Sequence, residues 1–180
     1  YTVGTRLWNR RAPTGVPTLA LVLGTQFPDV LDKPLNWWFD IFDGRAIGHS
    51  VITAVALCGL LFLLARKHGH RDLAAAFTIG VFTHLVGDSW RALLSGDFGS
   101  AAFLMWPLLP APTYPKDSLV DHLREWAIAF QTVPVGSPRV LLDTQFGIQL
   151  VFAAVILSVW ALDGFPGIRA LTNAISGRRR

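Results

Sequence analysis

From Gly48 to Ala65 the chain runs for 18 residues without a formally charged side chain, with His49 at the start and Arg66-Lys67 just past the end. A helical stretch of that length matches the hydrocarbon thickness of a bilayer, and it confines the backbone to a form whose hydrogen bonds close within the segment. Leu73 to Leu94 and Phe146 to Leu162 repeat the pattern, while Pro17 to Asp32 is shorter, is interrupted by Pro28 and reads as a tilted or partial span. Composition points the same way, with 52% hydrophobic and 16% charged residues and a mean hydropathy of +0.42. The expected fold is all-α: one membrane domain over residues 1–180, a polytopic integral membrane helical bundle of about four to five spanning or partial helices.

Basic residues group at Arg6, Arg10 and Arg11, at Arg66-Lys67 with Arg71, and at Arg178-Arg179-Arg180. Alternating spans put all three groups on one side, as the positive-inside rule asks. The expected location is therefore the inner (plasma) membrane, multi-pass, with a cytoplasmic C-terminus, and residues 95–145 become an extracytoplasmic interfacial segment. A formal net charge of +4 raises nucleic acid as a partner. The charges cap apolar runs instead of interleaving with aromatics on one surface, so membrane lipid is the expected partner and nucleic acid is not. Cys58 is the single cysteine and lies within the best apolar run, which excludes a disulfide framework. The opening Tyr1-Thr-Val-Gly-Thr-Arg-Leu-Trp8 reads as the last turns of a helix already under way, so a helix before Tyr1 is expected.

Within this apolar background His84 and Asp88 stand one helical turn apart. Ionisable groups there are costly to bury and point to function. Asp29 and Asp32 are three residues apart, on one face if the segment is helical, and Arg45-Ala-Ile-Gly-His49-Ser50 sets an imidazole at a helix start. At ~1.5 Å per residue, His84 and Asp88 are about 16 and 22 Å from the start of their run at Leu73, the outer half of the expected membrane. Asp29, Asp32 and His49 fall at the outer ends of their runs, so three carboxylates and two imidazoles share one depth. Such a mixed oxygen and nitrogen set suits a divalent metal. Each piece also has a plainer reading: an aspartate pair in a cap, a helix-capping segment at His49-Ser50, and a hydrogen-bonded His–Asp pair joining two helices. Arg91 can pair with Asp88 or meet an anion, and both remain open.

Ala101 to Pro112 is apolar but too short and proline-rich to span, and reads as re-entrant or interfacial. Asp117 to Trp126 has the spacing of an amphipathic helix on a membrane, with His122 a solvated residue of its polar face. Trp37, Trp38, Phe39 and Phe42 read as an interfacial aromatic belt.

Leu23-Gly-Thr-Gln-Phe-Pro-Asp-Val-Leu-Asp-Lys-Pro34, Gly44-Arg-Ala-Ile-Gly-His-Ser50, Thr83-His-Leu-Val-Gly-Asp88 and Leu104-Met-Trp-Pro-Leu108 follow one another over most of residues 20–110. In that order they resemble the membrane-bound metal-dependent hydrolases of the DUF457 type, a family that includes an inner-membrane protein described as LexA-binding. The resemblance implies a multi-span helical fold and a divalent-metal site built from Asp29, Asp32, His49, His84 and Asp88. It departs at Lys33 and Gly44, where many relatives carry histidine, and the family's usual N-terminal histidine would precede Tyr1. The implied chemistry is metal-assisted hydrolysis of an ester or phosphoester, lipid-linked and at the outer leaflet. Zinc or manganese is the expected ion, and Arg45 and Asp88 are the catalytic side chains beside it. The rival class is a non-catalytic membrane protein with a structural metal or polar cluster that binds a partner.

Overall fold

The computed structural model describes residues 15–113, 118–132 and 145–176, and every regular element among them is helical. The chain parts into two compact units, residues 1–116 with 167–180, and residues 117–166.

In the first unit, α1 (Gly15–Phe39), α2 (Val51–Lys67) and α3 (Arg71–Ser95) pack together, α1 against α3 most extensively. A short 3-10 turn (Ala102–Met105) lies on α2, and α6 (Ile168–Ile175) packs against α1. α1 continues through Pro28 and Pro34 for 25 residues instead of breaking at Pro28. α2 begins where the Ser50 side chain caps the free N–H groups of Ile52 and Thr53, and it ends with Arg66 and Lys67 beside the negative end of the helix dipole. A tight turn over His68–His70 then reverses the chain into α3.

α1 and α3 approach backbone to backbone. A Cβ at Gly24 would strike the carbonyl of Phe77, and one at Gly80 would strike the backbone of Leu21 and Thr25. Only glycine fits either position, which fixes the register of the two helices. Around this crossing Ala54, Cys58, Val81 and Leu85 form the apolar core, with Phe27, Phe77, Phe82 and Leu104 packed on it. The Phe27 and Phe77 rings meet edge to face at 5.5 Å.

The second unit contains α4 (Leu119–Thr132) and α5 (Gln145–Leu162). Ser118 and Asp121 cap α4 reciprocally: the Ser118 hydroxyl accepts from Asp121 N–H, and the Asp121 carboxylate accepts from Ser118 N–H. In the last turn of α5 the Trp160 indole donates to the Pro166 carbonyl beyond the helix at 2.9 Å.

Among the described residues no helix is long and apolar enough to cross a membrane. The polytopic integral membrane bundle expected from hydropathy is therefore corrected: the described residues form a helical fold in which no helix is long and apolar enough to span. The reason lies in where the helices start and stop. α2 has 17 residues and α5 has 18, so at ~1.5 Å each they reach about 26 and 27 Å against the roughly 30 Å of a hydrocarbon core. The 25-residue helices are long enough but too polar: α1 carries Asp29, Asp32 and Lys33, and α3 carries Arg71, Asp72, Asp88 and Arg91. The piece from Ala101 onward forms a 3-10 turn that buries Phe103 within the first unit. The terminal arginine groups, Arg6 to Arg11 and Arg178 to Arg180, lie outside the described residues.

Candidate metal centre

Three segments of the first unit converge on one point: α1 through Asp29 and Asp32, the loop before α2 through Arg45 and His49, and α3 through His84 and Asp88.

The loop is organised by Asp32, which is 1% exposed. Its carboxylate accepts from the backbone N–H of Ala46 (2.8 Å), Gly48 (2.9 Å) and His49 (3.2 Å), and from His49 Nδ1 at 2.8 Å. One buried anion thus satisfies three otherwise unpaired amides and orients the ring. Gly48 permits this because a Cβ there would meet the backbone of Pro28. Immediately after, Ser50 caps α2 and donates its hydroxyl proton to the Trp106 carbonyl at 2.5 Å, tying the 3-10 segment to the same corner.

Asp32 accepts from His49 Nδ1–H, which leaves Nε2 on the opposite edge of the ring, a donor when the ring is protonated and a lone pair when it is neutral. That Nε2 faces His84 Nε2 at 3.3 Å, Asp29 Oδ1 at 3.5 Å and Asp88 Oδ2 at 3.5 Å, and His84 Nε2 lies 3.9 Å from both Asp29 Oδ2 and Asp88 Oδ2. The donor atoms of Asp29, His49 and His84 all fall within 4.8 Å of one another, a group able to hold a metal ion. For zinc bonds of about 2.0–2.1 Å, the tetrahedral ligand-to-ligand distance is about 3.3 Å. The His49–His84 separation of 3.3 Å matches that edge, and the separations to the carboxylates, 3.5 to 3.9 Å, exceed it by up to about 0.6 Å. The donor chemistry fits as well: two imidazole nitrogens facing each other need a shared proton or a cation between them, and two carboxylates flank the gap.

The electrostatics follow from this crowding. Burial works against ionisation of Asp29, but the hydrogen bond from His49 and the charges of Lys33, His84 and His49 outweigh it and hold the carboxyl well below the usual carboxylate range. Burial likewise disfavours protonated His49, yet its hydrogen bonds to Asp29 and Asp32 and the charges of Asp32 and Asp88 raise its pKa above the ordinary value. The carboxylates that raise the His49 pKa also make the negative field that would attract a divalent cation.

The floor of the cluster is dry and the rim is wet. His49 is fully buried, whereas the side chains of Asp29, Asp88 and Arg45 are 31%, 25% and 34% exposed. Phe103, 1% exposed, walls one side with its ring 6.1 Å from His49. Arg45 lies over that ring at 5.2 Å and pairs with Asp88 at 3.1 Å, while Lys33 pairs with Asp29 at 3.2 Å.

The sequence-derived candidates Asp29, Asp32, His49, His84, Asp88 and Arg45 are thus brought together, with a division of labour that spacing did not show. Asp32 lies on the Nδ1 edge of His49, and the other carboxylates lie on the Nε2 edge. The ion pair with Asp88 expected of Arg91 is made by Arg45, and Arg91 lies 5.8 Å from the Trp90 ring. The side chain of His122 lies outside the described residues. Phe103 was missed as part of the site. A serine directly before an apolar run signalled the Ser50 cap, but nothing in the sequence linked Ser50 to Trp106.

The model of the YdjM inner membrane protein family matches residues 2–165. No curated protein and no solved structure is significantly similar to the chain.

Proposed function

The chain belongs to the YdjM inner membrane protein family, and on that premise we propose that it is a metal-dependent hydrolase of the inner membrane, acting on an ester or phosphoester of a lipid or lipid-linked substrate. The observation that carries the proposal is the opposition of His49 Nε2 and His84 Nε2 at 3.3 Å, with Asp29 and Asp88 beside them and Asp32 fixing the tautomer from behind.

In this reading Asp29, His49 and His84 hold one divalent ion, zinc or manganese by their mixed nitrogen and oxygen donors, with Asp88 beside them. When bound, the ion supplies Lewis acidity and makes water nucleophilic at neutral pH. Asp32 orients His49 without binding the ion. Asp88, close to both imidazoles and partly exposed, accepts the proton of the attacking water. Arg45 holds Asp88 in place and offers its remaining N–H groups to the negative charge that develops on the substrate oxygen. The exposed edge formed by Asp29, Asp88 and Arg45 is where substrate enters, and Phe103 keeps water from the His49 side.

The test is elemental analysis and hydrolysis of phosphomonoester, phosphodiester and carboxylester probes by the full chain in detergent, beside His84→Ala. Near-stoichiometric zinc or manganese and turnover, both lost in the variant while the helical signal persists, are expected. Turnover that survives in His84→Ala overturns the assignment.

One observation favours a second reading, a structural ion: the donors come from three separate segments, so an ion would staple them together. In that case His84→Ala lowers the melting temperature along with the metal content, and no probe is hydrolysed by the parent chain.

A further inference from the structure

At the opposite end of α2 and α3 from the metal centre lies a wide-open cavity of about 400 Å³, a groove lined by Ala20, Leu61, Leu64, Leu73 and Phe77 with His68 and His70 at its edge. Its position is set by the chain: α2 runs 17 residues from the Ser50 cap to Lys67, so at ~1.5 Å per residue the two sites stand roughly 25 Å apart. The volume falls within the range of about 300–1,000 Å³ usual for small-molecule sites.

The cavity is apolar and its border is basic. Arg66, Lys67 and Arg71 are exposed around the His68–His70 turn, as are both histidines, against one acidic residue, Asp72. The apolar surface continues outward from the cavity, since Leu60, Leu63 and Leu64 are half or more exposed along the last turns of α2. Long basic side chains at the end of an apolar helix can lay their stems along the apolar surface and hold their charges where a headgroup lies.

We propose that this end of the helix pair binds an anionic phospholipid, with one acyl chain in the cavity and the phosphate held by Arg66, Lys67 and Arg71. Charge complementarity selects the occupant. A zwitterionic lipid gains less than an anionic one from three cations set against a single carboxylate, and a soluble phosphate leaves the apolar cavity unfilled. The match to a family of inner-membrane proteins places the chain beside such lipids. The site is independent of the metal centre and shares no residue with it.

The proposal is tested by native mass spectrometry of the full chain in detergent, titrated with phosphatidylglycerol or phosphatidylcholine. Two variants accompany it: Arg66→Ser/Lys67→Ser/Arg71→Ser, and Leu64→Asn, whose half-exposed position spares the core. Phosphatidylglycerol should bind in preference to phosphatidylcholine. Each charge removed should weaken it about fivefold, on the order of a hundredfold for the triple variant. Leu64→Asn should weaken it by roughly tenfold through lost apolar burial. Unchanged helical signal and metal content in both variants show that the fold and the other site are intact. Equal retention of the two lipids, unchanged binding by the triple variant, or full displacement by glycerol phosphate overturns the proposal. So does a concentration-dependent dimer that Leu64→Asn dissolves, which would make a second copy of the chain the occupant.

Discussion

Replacing Asp32 by asparagine preserves the shape of the side chain, removes its charge and turns one acceptor into a donor. The amide oxygen can stay at the Oδ2 position and keep Ala46 N, His49 N and His49 Nδ1, which forces the NH2 group against the N–H of Gly48, now 2.9 Å from Oδ1. One charge-assisted hydrogen bond, worth about 1.5–3 kcal/mol, is lost, and a buried amide left unpaired costs about 1–3 kcal/mol more. A net loss of about 3 kcal/mol is expected, and for a chain of this size that lowers the melting temperature by roughly 10 °C. The effect on the ion is different in kind. Asp32 acts from behind the ring, so its loss should weaken metal affinity about 10- to 100-fold and leave binding detectable. The assay pairs zinc competition against a chromogenic chelator with tryptophan-detected melting of the full chain in detergent. If Asp32→Asn eliminates metal binding as completely as His84→Ala, Asp32 is a ligand and the division between the two edges of His49 is wrong. If neither quantity moves, the carboxylate does not hold the loop.

Three further outcomes follow from the same geometry. Arg45→Ala should cost turnover on the order of 10²-fold, because a positioned cation is removed from developing charge, but under about 1 kcal/mol of stability, since the Asp88 pair is partly exposed; unchanged kcat and KM would remove Arg45 from the mechanism. Ser50→Ala removes both the α2 cap and the donor to Trp106, and it should destabilise the fold by about 1–3 kcal/mol in a denaturant titration; a value near zero would show that the corner is held elsewhere. The raised pKa of His49 means that its protonated form stabilises the metal-free fold fully below its ordinary 6.5, and that this contribution is lost as pH rises through the folded-state value. Metal affinity should therefore climb as pH rises above 6.5 with proton release, measurable by calorimetry in buffers of different ionisation enthalpy, and a flat profile from pH 6.5 upward contradicts it.

The ionisable cluster was legible because its members are costly in apolar runs, and cost is visible in one dimension. The spacing of His84 and Asp88 on α3 and of Asp29 and Asp32 on α1 needed only helical periodicity. What spacing could not supply was depth. Asp29 and Asp32 share a face, yet one is 31% exposed and the other is sealed beneath the loop before α2, a difference made by a segment more than ten residues away. The reading of spans failed for a related reason. Hydropathy reports the length of an apolar run, but the helix that forms is cut by its caps: Gly48 to Ala65 became a helix only from Val51, because Asp32 draws Ala46, Gly48 and His49 into a turn and Ser50 starts the helix after it. Phe103 was illegible, since an aromatic residue in a 3-10 turn has no period to betray its neighbour His49.

The glycine crossing of α1 and α3 also sets a leverage. Asp29 lies five residues beyond Gly24 and His84 four beyond Gly80, so at ~1.5 Å per residue both donors sit about 6–8 Å from the contact. Arg71, nine residues the other way, stands about 13 Å from the same fulcrum. A rocking of about 10° around it would sweep the basic end by roughly 2 Å and displace the ion's donors by about half as much. The short arm carries the histidine and aspartate cluster and the long arm the basic turn, so any rocking about the crossing would move the imidazoles about half as far as the basic end.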